Sequence, residues 1–304
     1  LEVWHLEEDQ FRPGYIIYSE RSALKQLNTN TWQSSTLVGE ATSTSYAEGE
    51  GTSARFNVIS GFVQVSSTYL ILVDQGNHCV RGVQKSSPAW PSRRLGVIYN
   101  TSHLAGTCGE RGNDDTKLNT PSKIIKAPKK DRFYISDYEN IAVRELDMAS
   151  GYLTVWHTFF VGFGPVGIAI HDNDILYMIT SEVIWVHKII NENSAVSANS
   201  QLTYSKKFGY VDGDASDAEF NFPQEIAFLN DSLLLVADKG NNRLRVLDID
   251  EEFVSTLCDV NRLQNDSEWC TLPEAQSLAV IESGAVYVGT KQGIWKVTPF
   301  ASGR

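Results

Sequence analysis

The sequence predicts an all-β protein: a six-bladed β-propeller of four-stranded antiparallel blades, with the ring closed by the N-terminal strand. Three observations carry this. A motif recurs along the 304 residues, apolar runs of strand length alternate with Gly, Asn, Asp and Ser, and no segment shows convincing helical periodicity. One domain over residues 1–304 is expected, because all-β barrels and related folds often exceed the usual domain size as one unit.

The repeats are clearest in two places. The first runs Gly49-Glu-Gly-Thr-Ser-Ala-Arg-Phe-Asn57, then Gly61-Phe-Val-Gln-Val65, then Leu70-Ile-Leu-Val-Asp-Gln-Gly-Asn-His-Cys-Val-Arg81. The second runs Gly213-Asp-Ala-Ser-Asp-Ala-Glu-Phe-Asn221, then Glu225-Ile-Ala-Phe228, then Leu233-Leu-Leu-Val-Ala-Asp-Lys-Gly-Asn-Asn-Arg-Leu-Arg245. The shared skeleton is a glycine loop, Ala-x-Phe-Asn, an apolar strand, a second apolar strand ending in Asp, Gly-Asn, and a third strand containing Arg. This skeleton closely resembles the NHL repeat.

Weaker copies fill the intervals. Lys117-Leu-Asn-Thr-Pro121 with Asp137 and Arg144 keeps both charged positions, the copy around residues 164–187 loses them, and residues 275–297 make another degraded copy. Gly14-Tyr-Ile-Ile-Tyr18 with Ala23-Leu-Lys-Gln-Leu27 makes the sixth. The last copy runs out after its third strand, so Glu2-Val-Trp-His-Leu6 is expected to supply its outer strand. Without that closure two sheet edges would stay open, which is an aggregation hazard.

Net charge is −11 and pI about 5.0, which excludes a function resting on phosphate-backbone neutralisation, so no nucleic-acid partner is expected. The basic cluster Lys126, Lys129, Lys130 and Arg132 is broken by Pro128 and Asp131 and reads as a solvated hairpin turn. The longest apolar runs, residues 69–73 and 233–237, are far short of a membrane helix. Any membrane attachment would come from a segment outside this sequence.

Of the four cysteines, none forms C-x-x-C. On the blade pattern Cys79 starts a third strand and Cys108 follows the fourth. Cys258 ends a fourth strand and Cys270 lies in the loop after it. Cys79–Cys108 and Cys258–Cys270 are the economical pairing, and such pairs point to an extracellular, secreted or cell-surface protein. The sequons at Asn100, Asn230 and Asn265 are expected in loops, where glycans attach.

Some propellers are enzymes. Lyases of this general type hold zinc with histidines in the central channel, but His5, His78, His103, His157, His171 and His187 share no blade position or ligand spacing. Lactonases of the fold surround calcium with carboxylates, and the identifiable inner strands here are apolar. The run Asp212-Gly-Asp-Ala-Ser-Asp217 lacks the closing Glu of a calcium loop and reads as the repeat's own turn. The repeat residues Asp74, Asp137, Asp238, Arg81, Arg144 and Arg245 read as a device each blade reuses, Asp capping backbone donors and Arg packing between blades.

The expected function is therefore an extracellular module that binds a protein partner or small ligand through one face, without catalysis, metal or cofactor. The alternative is a metal-dependent propeller enzyme, lyase or lactonase-like. The expected contact face carries Glu48, Glu50, Asp74, Asp137, Asp212, Asp214, Asp217 and Asp238, with a basic partner.

Overall fold

In the computed structural model the residues described are 2–86, 98–127, 132–158, 164–171, 175–180, 184–188, 199–201, 207–257, 272–281 and 283–297. Two compact units divide the chain. The N-terminal unit holds Glu7–Lys126 and Arg132–Gly164, and the C-terminal unit holds Leu1–Leu6, Ala127–Asp131 and Pro165–Arg304.

Strands β1 (Val3–Glu8), β2 (Tyr15–Glu20), β3 (Ala23–Asn28) and β4 (Ser34–Gly39) form the first sheet, in chain order. The second sheet is β5 (Ile59–Ser66), β6 (Tyr69–Asp74), β7 (Cys79–Ser86) and β8 (Ile98–Ala105). The third is β9 (Pro121–Lys126), β10 (Phe133–Asp137), β11 (Ala142–Leu146) and β12 (Leu153–Thr158). In the C-terminal unit β13 (Gly167–Ile170), β14 (Ile175–Ile179), β15 (Ile184–Lys188) and β16 (Asn199–Gln201) make one meander. The next sheet joins β17 (Gly213–Asp214), β18 (Glu225–Phe228), β19 (Leu233–Asp238), β20 (Arg243–Asp248) and β21 (Phe253–Leu257) in the order β17-β21-β20-β19-β18. Last come β22 (Ser277–Val280), β23 (Val286–Thr290) and β24 (Gly293–Val297). Successive antiparallel meanders of this kind are the building plan of a β-propeller.

The continuous apolar runs now have their reason. A strand buried on both faces has no solvent side to alternate with. In β6, Leu70 and Leu72 enter a core shared with Ile17, Val38 and Phe62 of the first two sheets. Ile71 and Val73 enter a second core with Ile124, Phe133 and Ile135 of the third. In β19, Leu234 and Val236 pack with Tyr177 and Ile179, while Leu235 and Ala237 pack with Val286 and Val288.

Two expectations are corrected. Six complete four-stranded blades were expected, but only five sheets hold four or more strands, and β22–β24 has three among the described residues. The N-terminal strand is also not the outer strand of the last blade, because β1 lies beside β2 in the first sheet. The turn between them explains this: Arg12 N–H donates to Asp9 O at 3.0 Å, Asp9 N–H donates to Tyr15 O at 2.9 Å, and Gly14 takes φ +82°. A short hairpin closes with little loss of chain entropy, so the local partner wins. The start of β1 nonetheless packs within the C-terminal unit. Val3 and Leu6 are fully buried, His5 Nδ1 lies 3.5 Å from Glu225 Oε2, and a methyl group on Gly289 would sit 2.6 Å from Val3 Cγ1.

Candidate functional site

The repeated Asp, Asn and Arg build one cluster three times. Asp74 Oδ1 accepts Asn57 N–H at 2.7 Å and Oδ2 accepts Asn77 Nδ2–H at 2.9 Å, with Arg81 Nη1 at 3.3 Å. Asp137 receives Asn119 N–H, Asn140 Nδ2–H and Arg144 Nε–H at 2.7, 2.7 and 3.0 Å. Asp238 receives Asn221 N–H, Asn241 Nδ2–H and Arg245 Nη1–H at 2.8, 2.8 and 3.0 Å. A single 3-10 turn after each Asp, ending in left-handed His78, Ile141 or Asn242, swings the Asn back onto the carboxylate. At Gly76 and Gly240 a side chain would meet Asn57 or Asn221, whereas the third turn carries Glu139 at the same position.

The arginines complete the cluster. Arg81 donates to Arg55 O and Ala47 O, both at 2.8 Å, and its guanidinium lies 4.7 Å from the Tyr46 and Phe56 ring centres. Arg245 donates to Glu219 O and Val211 O at 3.0 and 2.7 Å and lies over Phe220 and Tyr210 at 4.9 and 5.0 Å. Arg245 also forks onto Asp212 Oδ1 at 2.6 and 2.9 Å. Burial pushes the Asp74, Asp137 and Asp238 carboxyls up, against the opposing pull of their hydrogen bonds and arginines. The cluster ties each strand turn to the loop that precedes its blade.

This placement corrects the expected contact face. Asp74, Asp137 and Asp238 are 0% exposed and have no surface to offer a partner. A carboxylate holding three inward donors must lie inside the turn that it organises. Glu48, Glu50, Asp212, Asp214 and Asp217 are exposed. Glu48 and Glu50 belong to the N-terminal unit and the three aspartates to the C-terminal unit. Glu48 Oε1 accepts His103 N–H at 2.7 Å, and Asp212 Oδ2 accepts Thr256 N–H at 3.1 Å, so both also serve as internal ligands. The Asn of each cluster was missed as an organising residue, although its spacing of three from Asp is visible in all three repeats.

Cys79 and Cys108 form a disulfide with Cα atoms 5.0 Å apart. Cys258, Cys270, Asn265, Lys129 and Lys130 lie outside the described residues. Asn230 is exposed in the β18–β19 turn, as expected. Asn100 departs from expectation. It sits in β8, pairs with Gln84, and its Nδ2 donates to Ser86 Oγ at 3.1 Å. β8 begins at Ile98, two residues before Asn100, so the sequon falls inside the strand.

The histidines with described side chains serve separate local contacts. His5 faces Glu225, His103 Nε2 faces Gly106 O, and His171 stacks edge-on against Phe228. Thr120 N–H points at His78 Nδ1 at 2.9 Å and Arg111 Nε–H at His78 Nε2 at 3.1 Å. Burial first, then Arg111, holds the His78 pKa below its ordinary value. Among the described residues no three His, Cys, Asp or Glu side chains are grouped to hold a metal.

A site that sequence reasoning missed lies between the first two sheets. A cavity of about 340 Å³ is lined by Asp9, Phe11, Arg12, Gln26, Gln64, Lys85 and Tyr99, with Ile17, Leu37 and Leu70 as apolar walls. A hydrogen-bonded chain organises one side. Gln26 Nε2 donates to Asp9 Oδ2 at 2.6 Å, Arg12 Nη1 donates to Gln26 Oε1 at 2.9 Å, and Arg12 Nη2 donates to Tyr15 OH at 2.9 Å. Gln64 is anchored beside Asp9, its Nε2 donating to Glu8 O at 2.6 Å. Burial, with Asp9 adding to it, pushes the Tyr99 hydroxyl pKa up. Lys85 has no ion pair among the described residues. The lining carries two cations against one carboxylate, a net +1 in a chain of −11.

No family model matches the chain. NHL repeat-containing protein 2 of Bos taurus is 34% identical over 85 residues, 27% of this chain and 11% of that protein, so the match spans about a tenth of the relative. An auxiliary nutrient binding protein from Bacteroides thetaiotaomicron superposes with TM-score 0.72 at 12% identity, over 98% of this chain and 69% of that one. A gluconolactonase from Xanthomonas campestris superposes with TM-score 0.61 at 12% identity, over 94% and 82%. These likenesses define the class: an all-β propeller, mostly of four-stranded antiparallel blades. Its repeats resemble NHL repeats, in the residues that form the Asp–Asn–Arg clusters.

Proposed function

We propose that the chain is an extracellular, non-catalytic recognition module that takes a small, polar, anionic ligand in the cavity between its first two sheets. The observation that carries this is the convergence of Gln26, Gln64, Arg12 and Lys85 on one cavity with apolar walls. Ligand sites characteristically combine a mostly preformed concavity with a few oriented polar groups. Lys85 and Arg12 supply the positive field, while Asp9 is committed to Gln26 and to Phe11 N–H. The Cys79–Cys108 disulfide supports an oxidising compartment.

The alternative of a metal-dependent lyase or lactonase-like enzyme draws on likeness of fold, and folds host unrelated functions. Calorimetry with lactate, malate and tartrate, against glucose and free lysine as neutral and cationic controls, tests the reading. Hydroxycarboxylates should bind, and Lys85→Met and Gln64→Leu should each weaken binding roughly tenfold. Failure of every anion to bind, or chemical turnover of one that does, contradicts it.

A further inference from the structure

The surface carries a second feature that the cavity does not explain. Phe208 and Phe222 stack with ring centres 4.8 Å apart and planes at 20°, yet they are 48% and 50% exposed. Phe222 also occupies a left-handed backbone position at φ +48°, which is unfavourable for a bulky residue. The fold does not require these aromatics. Phe208 bridges to Phe220 as Thr44 bridges to Phe56, and the left-handed site that follows holds Val58 at φ +68° in that repeat. Another repeat puts Arg111 and Thr120 at these places.

The neighbouring charge indicates the occupant. Residues 207–222 contain one lysine against four carboxylates, of which Asp212 is held by Arg245, leaving Asp214, Asp217 and Glu219. Glu219 lies against Gly209, next to Phe208, because a side chain on Gly209 would collide with its carboxylate. That carboxylate has no hydrogen bond or ion pair among the described residues. A carboxylate without a partner among the described residues, beside two exposed rings, matches a guanidinium, which stacks on rings and forks onto a carboxylate at once. We infer that the Phe208–Phe222 stack and Glu219 form a docking site for an arginine-bearing basic segment of a protein partner. Phe208, Phe222 and Glu219 belong to the C-terminal unit, whereas the lining residues of the proposed ligand cavity all belong to the N-terminal unit.

The probe is a short arginine-bearing peptide, with its lysine and glutamate counterparts, titrated at several salt concentrations. Binding is expected for the arginine peptide, weaker binding for lysine, and none for glutamate. Phe208→Ala and Phe222→Asn, which leave the charge unchanged, should each weaken the arginine peptide roughly tenfold. Glu219→Gln should weaken it and flatten its salt dependence. Asn tolerates the left-handed backbone, so Phe222→Asn should melt at or above the wild-type temperature. Unchanged binding in both aromatic variants overturns the inference, because attraction to an acidic surface would then suffice. A markedly lower melting temperature for Phe222→Asn also overturns it, because the stack would be internal packing. Lys85→Met should leave peptide binding unchanged, which separates this site from the cavity.

Discussion

At the scale of single residues, burial decides what each charged group does. Asp74, Asp137 and Asp238 were legible in the sequence as a recurring set, and the structure gives them the capping role expected of a repeated residue. Their inclusion in a contact face failed because sequence spacing does not tell whether a polar residue points into its own turn. His78 shows a finer consequence. Two N–H donors point at its ring, a neutral ring accepts only one of them, and an imidazolium accepts neither. Its pKa is depressed in the folded state, so the unfolded chain takes up the proton first as pH falls below about 6.5. The stability His78 contributes is therefore present above that pH and lost below it. Thermal melts between about pH 7.5 and 5.5 should show wild type losing more stability on acidification than His78→Gln, which retains an acceptor without titrating. Equal slopes in the two proteins would remove His78 from the account.

At the scale of elements, the strands of the two strong repeats were readable because β6 and β19 are buried on both faces and appear as unbroken apolar runs. The first sheet was misread for a physical reason. Its strand β1 was treated as the missing edge of the last blade, whereas the turn at Asp9 to Gly14 folds it locally onto β2. The cavity was not legible at all, because its polar residues come from turns and strands β3, β4, β5, β7 and β8, with no common motif. The Asp–Asn–Arg device also varies in quality between blades. Arg245 serves Asp238, Asp212 and two backbone carbonyls, whereas among the described residues Arg144 has Asp137 as its hydrogen-bond partner and its buried Nη1 has none. Removing one partner of a buried pair costs about 3–5 kcal/mol, so Arg245→Met should lower unfolding free energy by that order. Arg144→Met should cost less, and denaturant titration of both variants measures the difference. An equal or larger loss for Arg144 would show that the carbonyl contacts add nothing.

At the scale of the whole molecule, the strand-rich pattern and the repeats were sufficient to read an all-β propeller with NHL-like repeats from the sequence. Function was less accessible, because the polar residues of the cavity come from turns and several strands outside the repeated motif, and one fold hosts unrelated functions. The central proposal is recognition in the cavity between the first two sheets, without chemistry on the ligand. Amide and side-chain NMR shifts during titration with malate test that most directly, with the ligand recovered afterwards. The prediction is that shifts centre on Gln26, Gln64, Lys85 and Tyr99, saturate, and leave malate unchanged. Shifts centred on Glu48 and Glu50 or on Asp212, Asp214 and Asp217, no saturable shift, or conversion of the malate would contradict it.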